Sequence, residues 1–122
     1  MNIRVRLSNF YEGRDVVVIV KCQDGQVSGK YVVGRHNTDR SIVALVLDAA
    51  VEFHPAIAKK YRLVAMGGGH FSVDHDEASI HIGGKSDTYG AEPDRELTSR
   101  ALKAALPTYT TFIEVALPSQ EP

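Results

Sequence analysis

Several features are scarce in this 122-residue chain, and each scarcity excludes a class of protein. Cys22 is the only cysteine, so no disulfide can form within the chain. The net charge of -1 provides no general attraction to nucleic acid or to an anionic membrane surface. No apolar run approaches the ~20 residues that a membrane-spanning helix needs, and the amino-terminal residues lack the apolar core of a signal peptide. These absences favour a cytoplasmic protein that binds neither nucleic acid nor membranes.

The composition that remains is that of an ordinary globular domain. The chain is 43% hydrophobic and 24% charged, and its length fits a single folding unit. No repeat, low-complexity tract or linker divides it. We therefore expect one domain over residues 1–122, with 118–122 as a flexible tail and the monomer as the default state.

Hydrophobic patterning predicts strands separated by two helices. Alternating or β-branched segments predict strands at residues 3–7, 16–20, 30–35, 41–47, 63–66, 70–74, 79–82 and 109–117. Proline is tolerated in the first helical turn, so Pro55 and Pro93 mark helices over about 55–62 and 93–107. This order predicts an α+β fold, with two helices packed on a mixed sheet of about six strands.

The stretch most suggestive of function is residues 67–90, which read GGGHFSVDHDEASIHIGGKSDTYG. Its two alternating runs form a predicted hairpin with glycines at both ends. Glycine lacks a Cβ, so bare backbone can come close to a ligand there, and clustered N–H groups bind anions. A histidine, His54, precedes Pro55 at the start of the first predicted helix. The sequence thus indicates an anion site with a histidine nearby.

These motifs resemble the phosphohistidine phosphatase (Janus/Ocnus) family. The family signature is a triple glycine, a β-hairpin and a Ser-x-Ala-Tyr-Gly loop, which correspond here to residues 67–69, the hairpin and residues 86–90. Residues 51–57, VEFHPAI, are similar to the family segment that carries an aromatic-His pair at the start of the first helix. The resemblance covers about residues 30–115.

The resemblance implies a small α/β domain that hydrolyses phosphoramidate bonds, notably protein phosphohistidine, with no metal or other cofactor. The catalytic histidine would be His54. The phosphate loop would comprise Ser86, Asp87 and Thr88, with the serine hydroxyl and local N–H groups holding phosphate. A family lysine on the first core strand would correspond to Lys30. The expected partner is a phosphohistidine-containing protein or a small phosphoramidate.

Two positions depart from the family pattern. The family usually has arginine after the triple glycine, where this chain has His70, and the alanine of the closing motif is Thr88. An imidazole supplies positive charge only while protonated. We therefore expect His70 to take part in phosphate binding, with activity that falls off at a lower pH than in an arginine-bearing relative.

Two segments of this chain could correspond to the family's first strand, and the choice decides which cation would contact phosphate. If residues 30–35 form that strand, residues 1–29 are an amino-terminal addition and Lys30 contacts phosphate. If residues 16–20 form it, Arg14 becomes the candidate instead. Lys85, beside the predicted loop, and Arg35 are substitutes for Lys30.

Histidine suits proton transfer because its ordinary pKa, about 6.5, lies near working pH. At a helix amino terminus the positive end of the dipole favours the neutral ring. We expect His54 to act as a general base that activates water. Direct attack by the ring, which gives a phospho-enzyme, is equally compatible with the sequence.

Two alternatives belong to other functional classes. A metal site could form from His70, Asp74, His75 and His81, although no established metal-binding spacing supports it. A binding module of the same fold could hold phosphate or a phosphorylated partner without turnover. Loss of activity with a chelator would support the first, and binding without turnover would support the second.

Overall fold

One seven-stranded sheet with two helices forms the fold in the computed structural model, which describes residues 1–114. This confirms the predicted α+β class, with one strand more than expected. The predicted end of the last strand at residue 117 and the tail 118–122 lie outside the described residues. The elements are β1 (Asn2–Tyr11), β2 (Arg14–Lys21), β3 (Gln26–His36), β4 (Ile42–Asp48), α1 (His54–Tyr61), β5 (Leu63–Asp74), β6 (Ser79–Gly83), α2 (Arg95–Ala105) and β7 (Thr110–Ile113).

The sheet is mixed, and its strand order is β1-β2-β4-β3-β5-β6-β7. Strands β2 and β4 pair in parallel, as do β6 and β7, while all other neighbours are antiparallel. Strands β3 and β5 lie at the centre and present the residues of the candidate site. No helix in the described part of the chain is long and apolar enough to cross a membrane.

The triple glycine lies inside a strand, which corrects the expectation of two short strands with a glycine segment between them. Residues 63–74 form the single strand β5, in which Gly67, Gly68 and Gly69 pair with β3. A register shift where Val33 pairs with Gly67 and Gly34 with Ala65 leaves Met66 as an extra residue in β5. Glycine has low strand propensity, so the sequence pattern ended one strand before the glycines and began the next after them, but tertiary pairing overrides this preference.

The two helices pack on opposite faces of the sheet. Helix α1 buries Ile57 against Val32, Ala44 and Val46. Helix α2 covers the other face, where Leu102 joins the main hydrophobic core with residues of most strands. Burial of such side chains contributes roughly 1.5–3 kcal/mol each. Each face of the sheet therefore packs against one helix, and the two faces have separate hydrophobic clusters.

The helix starts follow local signals in the sequence. Proline lies in the first turn of α1, and the helix begins one residue before the predicted Pro55, at His54. Helix α2 begins at Arg95, where the Asp94 side chain accepts a hydrogen bond from the Leu97 N–H. Such a capping bond stabilises a helix by about 1 kcal/mol. The α1 start fixes the position of the candidate catalytic histidine.

Candidate active site

His54 is buried at the start of α1 with only 5% of its surface exposed. Its Nε2 lies 2.9 Å from the carbonyl oxygen of Gly69. A carbonyl can only accept, so Nε2 carries the proton and donates this bond. In the neutral ring, Nδ1 therefore keeps its lone pair. The fold thus sets the tautomer of His54 and leaves one nitrogen free to take a proton.

The glycines of β5 form a surface without side chains beneath this ring. A Cβ on Gly68 would lie 2.2 Å from the Tyr31 carbonyl oxygen and 3.2 Å from Cδ2 of His54. A Cβ on Gly69 would lie 2.4 Å from the Gly83 carbonyl oxygen. No other residue type fits at either position without movement of the backbone. The glycines therefore allow His54 to lie directly against the strand.

Burial is the main cause of a lowered pKa at His54. Desolvation disfavours the charged ring, and the positive charges of His70 and Lys30 lower the pKa further. The hydrogen bond to Gly69 and the Asp87 carboxylate act in the opposite direction and are outweighed. The ring is therefore neutral at pH 7, as the sequence predicted, but burial is the chief reason.

Lys30 and His70 form a cross-strand pair beside His54. They are directly opposite each other on β3 and β5. The centroids of the His54 and His70 rings are 5.7 Å apart in an edge-to-face arrangement. The Lys30 Nζ lies 5.1 Å from the ring centroid of Phe53, and both residues of the pair line an open groove of about 360 Å³. A lysine and a second histidine thus meet at the buried histidine.

Of the other candidate cations, Arg14 and Arg35 lie away from His54, whereas Lys85 lies beside the predicted phosphate loop. Arg14 begins β2 and pairs with Glu12, whereas Lys30 aligns with the opposite end of β2 through Asp48. Arg35 lies five residues beyond Lys30 on the same strand, a separation of about 17 Å. Lys85 is exposed immediately before the predicted phosphate loop. The structure therefore brings Lys30, and not Arg14 or Arg35, to His54.

The loop of residues 86–90 is tied to the glycine strand. The Ser86 N–H donates to the Gly68 carbonyl at 3.2 Å, and the Gly68 N–H donates to the Gly90 carbonyl at 2.9 Å. The Gly90 N–H closes the loop by donating to the Ser86 carbonyl at 2.8 Å. These bonds place the loop beside the strand that His54 contacts.

Within this loop, Ser86 is turned inward and its neighbours are turned outward. Ser86 is 1% exposed, and its Oγ accepts from the N–H groups of Thr88 at 3.2 Å and Tyr89 at 3.0 Å. Asp87 and Thr88 are exposed, and the Asp87 N–H has no acceptor among residues 1–114. Ser86 thus shapes the loop, while the Asp87 N–H and the Thr88 hydroxyl are the groups open to a ligand.

The four residues of the metal alternative do not converge. His75 is held on both ring nitrogens, with Nδ1 2.7 Å from the Tyr109 hydroxyl and Nε2 3.0 Å from the Gln23 carbonyl. Asp74 caps its turn by accepting from two backbone N–H groups. Within residues 1–114, no group of three or more His, Cys, Asp or Glu residues could hold a metal ion.

A buried carboxylate on the opposite face was not foreseen from the sequence. Glu92 accepts hydrogen bonds from the Tyr31 hydroxyl at 2.7 Å, Thr98 Oγ1 at 2.8 Å and Arg95 Nη2 at 2.7 Å. Burial and the Glu92 charge raise the pKa of Tyr31. Arg95 Nη2 also donates to the Gly68 carbonyl at 3.4 Å. A charged pair beside a helix start resembles an ordinary surface pair in sequence, so no local signal distinguishes it.

Comparison with known proteins and families assigns the chain to a family. No curated protein sequence matches the chain. The model of the Janus/Ocnus family (Ocnus) matches residues 12–110. That region contains His54, the triple glycine and the loop of residues 86–90, and it begins before β2. Because the match spans most of the chain, the protein belongs to the Janus/Ocnus family.

Proposed function

We propose that this protein is a metal-independent cytoplasmic phosphatase that hydrolyses the P–N bond of phosphohistidine in proteins. The observation that carries the proposal is the His54 ring, whose Nε2–H is held by the Gly69 carbonyl and whose Nδ1 keeps a lone pair. The lowered pKa of His54 supports it, because a general base must be unprotonated to act.

The surrounding groups fit the charge of a phosphoryl group. Lys30 and protonated His70 would neutralise its oxygens, and the Asp87 N–H and Thr88 hydroxyl would donate to them. His54 Nδ1 would take a proton from water as the water oxygen bonds to phosphorus. The P–N bond would then break, its electron pair would stay on the leaving nitrogen, and that nitrogen would take a proton from solvent while His54 releases its own to solvent.

Direct attack by His54 uses the same atoms. Nδ1 would bond to phosphorus, the P–N bond would break, and water would later hydrolyse the phospho-enzyme. Rapid-quench trapping of phosphate on His54 would eliminate the version in which water attacks first.

A non-catalytic phosphate-binding module is the second candidate. It is favoured by His70, which replaces the arginine that the family resemblance implies, and by the inward orientation of the Ser86 hydroxyl. Such a module would bind a phosphorylated protein without releasing phosphate.

Phosphate release from phosphohistidine, with and without EDTA, tests the proposal. We expect release at a rate that EDTA leaves unchanged, since the mechanism needs no metal. Binding of a phosphohistidine protein without release would support the non-catalytic alternative. Loss of activity in EDTA that added metal restores would support a metal-dependent mechanism instead.

Replacing His70 with arginine should extend activity to higher pH. A guanidinium keeps its charge where an imidazole loses it, so phosphate binding should persist above neutrality. We expect kcat/KM at pH 8.5 to rise about tenfold relative to wild type, an order set by one charge-assisted hydrogen bond. Superimposable alkaline limbs in the pH profiles of the two proteins would contradict this. His36→Arg, the same exchange at the end of β3 away from the site, controls for added charge.

A further inference from the structure

Helix α1, which carries His54, packs on one face of the sheet and leaves part of that face uncovered. Side chains of β3, β5, β6 and β7 alternate, so every second residue points to this side. We call this surface the open sheet face. Its exposed or partly exposed residues include Gln26, Ser28, Ser72, Asp74, His81, Phe112 and Glu114.

The open sheet face continues directly into the candidate active site. Ser28 pairs with Ser72. This pair lies two residues along the strands from the pair of Lys30 and His70 and points to the same side of the sheet. Ser28 lines both the groove of about 360 Å³ at the site and a neighbouring groove of about 510 Å³. A polypeptide that places a phosphoryl group at the site would therefore lie across this face.

An exposed aromatic ring, Phe112, and a carboxylate, Glu114, lie at the β7 edge of the open sheet face. Phe112 is 46% exposed and stacks on His81, with ring centroids 4.8 Å apart and an interplanar angle of 23°. A Glu114 carboxylate oxygen lies 3.2 Å from His81 Nδ1, and the Glu114 side chain is 67% exposed. A flat ring beside a carboxylate suits a guanidinium, which stacks and pairs at the same time.

The charges of this surface are separated across the sheet. The cationic Lys30 lies on β3 opposite His70 on β5, and Glu114 follows β7 beside Gly83. Gly83 is the β6 partner of His70, so Glu114 is two strand spacings, about 10 Å, from His70. Gly83 has no side chain, and Glu114 packs closely over it: a Cβ on Gly83 would lie 3.1 Å from the Glu114 Cβ.

We propose that the open sheet face binds a polypeptide segment that carries phosphohistidine and, about three residues away, an arginine. This rests on the proposed function, because the phosphoryl group defines one end of the bound segment. An extended chain advances about 3.3–3.6 Å per residue, so about three residues span the distance to Glu114. The arginine stacks on Phe112 and pairs with Glu114.

Binding of peptides with a hydrolysis-resistant phosphoryl-triazole analogue of phosphohistidine tests this. Arginine, alanine or glutamate is placed in turn at each of the four positions on either side of the analogue. We expect arginine two to four residues away to tighten binding about 3–10-fold over alanine, with glutamate weakest. The preference should shrink in 0.5 M salt. Equal affinity for all three residues would overturn the proposal.

Substitutions at Glu114 give a sharper result. Glu114→Gln should remove the arginine preference, and Glu114→Arg should reverse it in favour of glutamate. Glu96→Gln, the same chemical change on an exposed residue of α2, should keep the wild-type preference. An arginine preference that survives Glu114→Arg would assign selectivity to another part of the surface and overturn the proposal.

Two further measurements distinguish catalysis, peptide binding and occupation of the face by the chain itself. Turnover of free phosphohistidine tests the phosphatase function alone, while peptide binding does not require turnover. Absent turnover with a retained arginine preference would reject the catalysis and support the binding surface. An arginine preference that emerges only after residues 115–122 are deleted would assign the face to the chain's own carboxyl-terminal segment, against the proposal.

Discussion

Replacement of His54 with alanine should lower kcat for phosphohistidine hydrolysis by about 10²–10⁴-fold, the usual contribution of a positioned general acid or base. The substitution removes a buried ring whose tautomer the fold fixes through the Gly69 carbonyl. Binding of phosphate should be retained, because Lys30 and the loop of residues 86–90 remain. Steady-state kinetics and phosphate titration measure the two effects separately.

The pH profile gives an independent test of the same assignment. Burial lowers the pKa of His54, so the wild-type acid limb should lie below pH 6.5, the ordinary value for histidine. Residual activity of His54→Ala should lack this limb. His36→Ala, a change at the other end of β3, serves as a control and should retain the wild-type rate. A full rate in a folded His54→Ala protein would reject the mechanism even though the family is established.

The substitution Gly68→Ala should destabilise the protein by about 3 kcal/mol or more, at the upper end of overpacking costs. The added Cβ would lie 2.2 Å from the carbonyl oxygen of Tyr31, which belongs to the paired strand and is not a flexible side chain. Strands β3 and β5 would have to separate, and His54 would be displaced with them. Urea denaturation measures the loss of unfolding free energy.

Gly25→Ala is the matched control for this change. A Cβ there meets no atom within 4 Å, and only the positive φ of 91° opposes it. Its cost should be about 1–2 kcal/mol, the usual penalty of a left-handed conformation. Equal unfolding midpoints for the two variants would show that the contact between β5 and β3 is looser than the distances indicate.

Periodicity and proline positions were enough to predict the fold class. Alternating residues on β1, the β-branched run on β2 and the proline in the first turn of α1 are local signals, and each agrees with the structure. The triple glycine was placed between strands because glycine ordinarily interrupts them. Its place inside β5 depends on the carbonyls of Tyr31 and Gly83, which are distant in sequence.

Only part of the candidate site could be predicted from the sequence. The family resemblance brought His54, Lys30 and the loop together, and the Janus/Ocnus assignment is confirmed. The choice of Lys30 over Arg14 required strand register, which patterning does not provide. The inward direction of the Ser86 hydroxyl and the burial of Glu92 depend on tertiary hydrogen bonds, so neither could be inferred from residue type.

The hydrogen bonds to the Gly68 carbonyl limit how the loop of residues 86–90 could be transferred to another protein. This carbonyl accepts the Ser86 N–H at 3.2 Å and Arg95 Nη2 at 3.4 Å, so the loop and α2 share one anchor. A graft of residues 84–90 alone into a foreign scaffold would lose that anchor and its orientation. The smallest portable unit also includes the glycine strand and the first turn of α2, and a recipient protein must accommodate elements on both sides of its sheet.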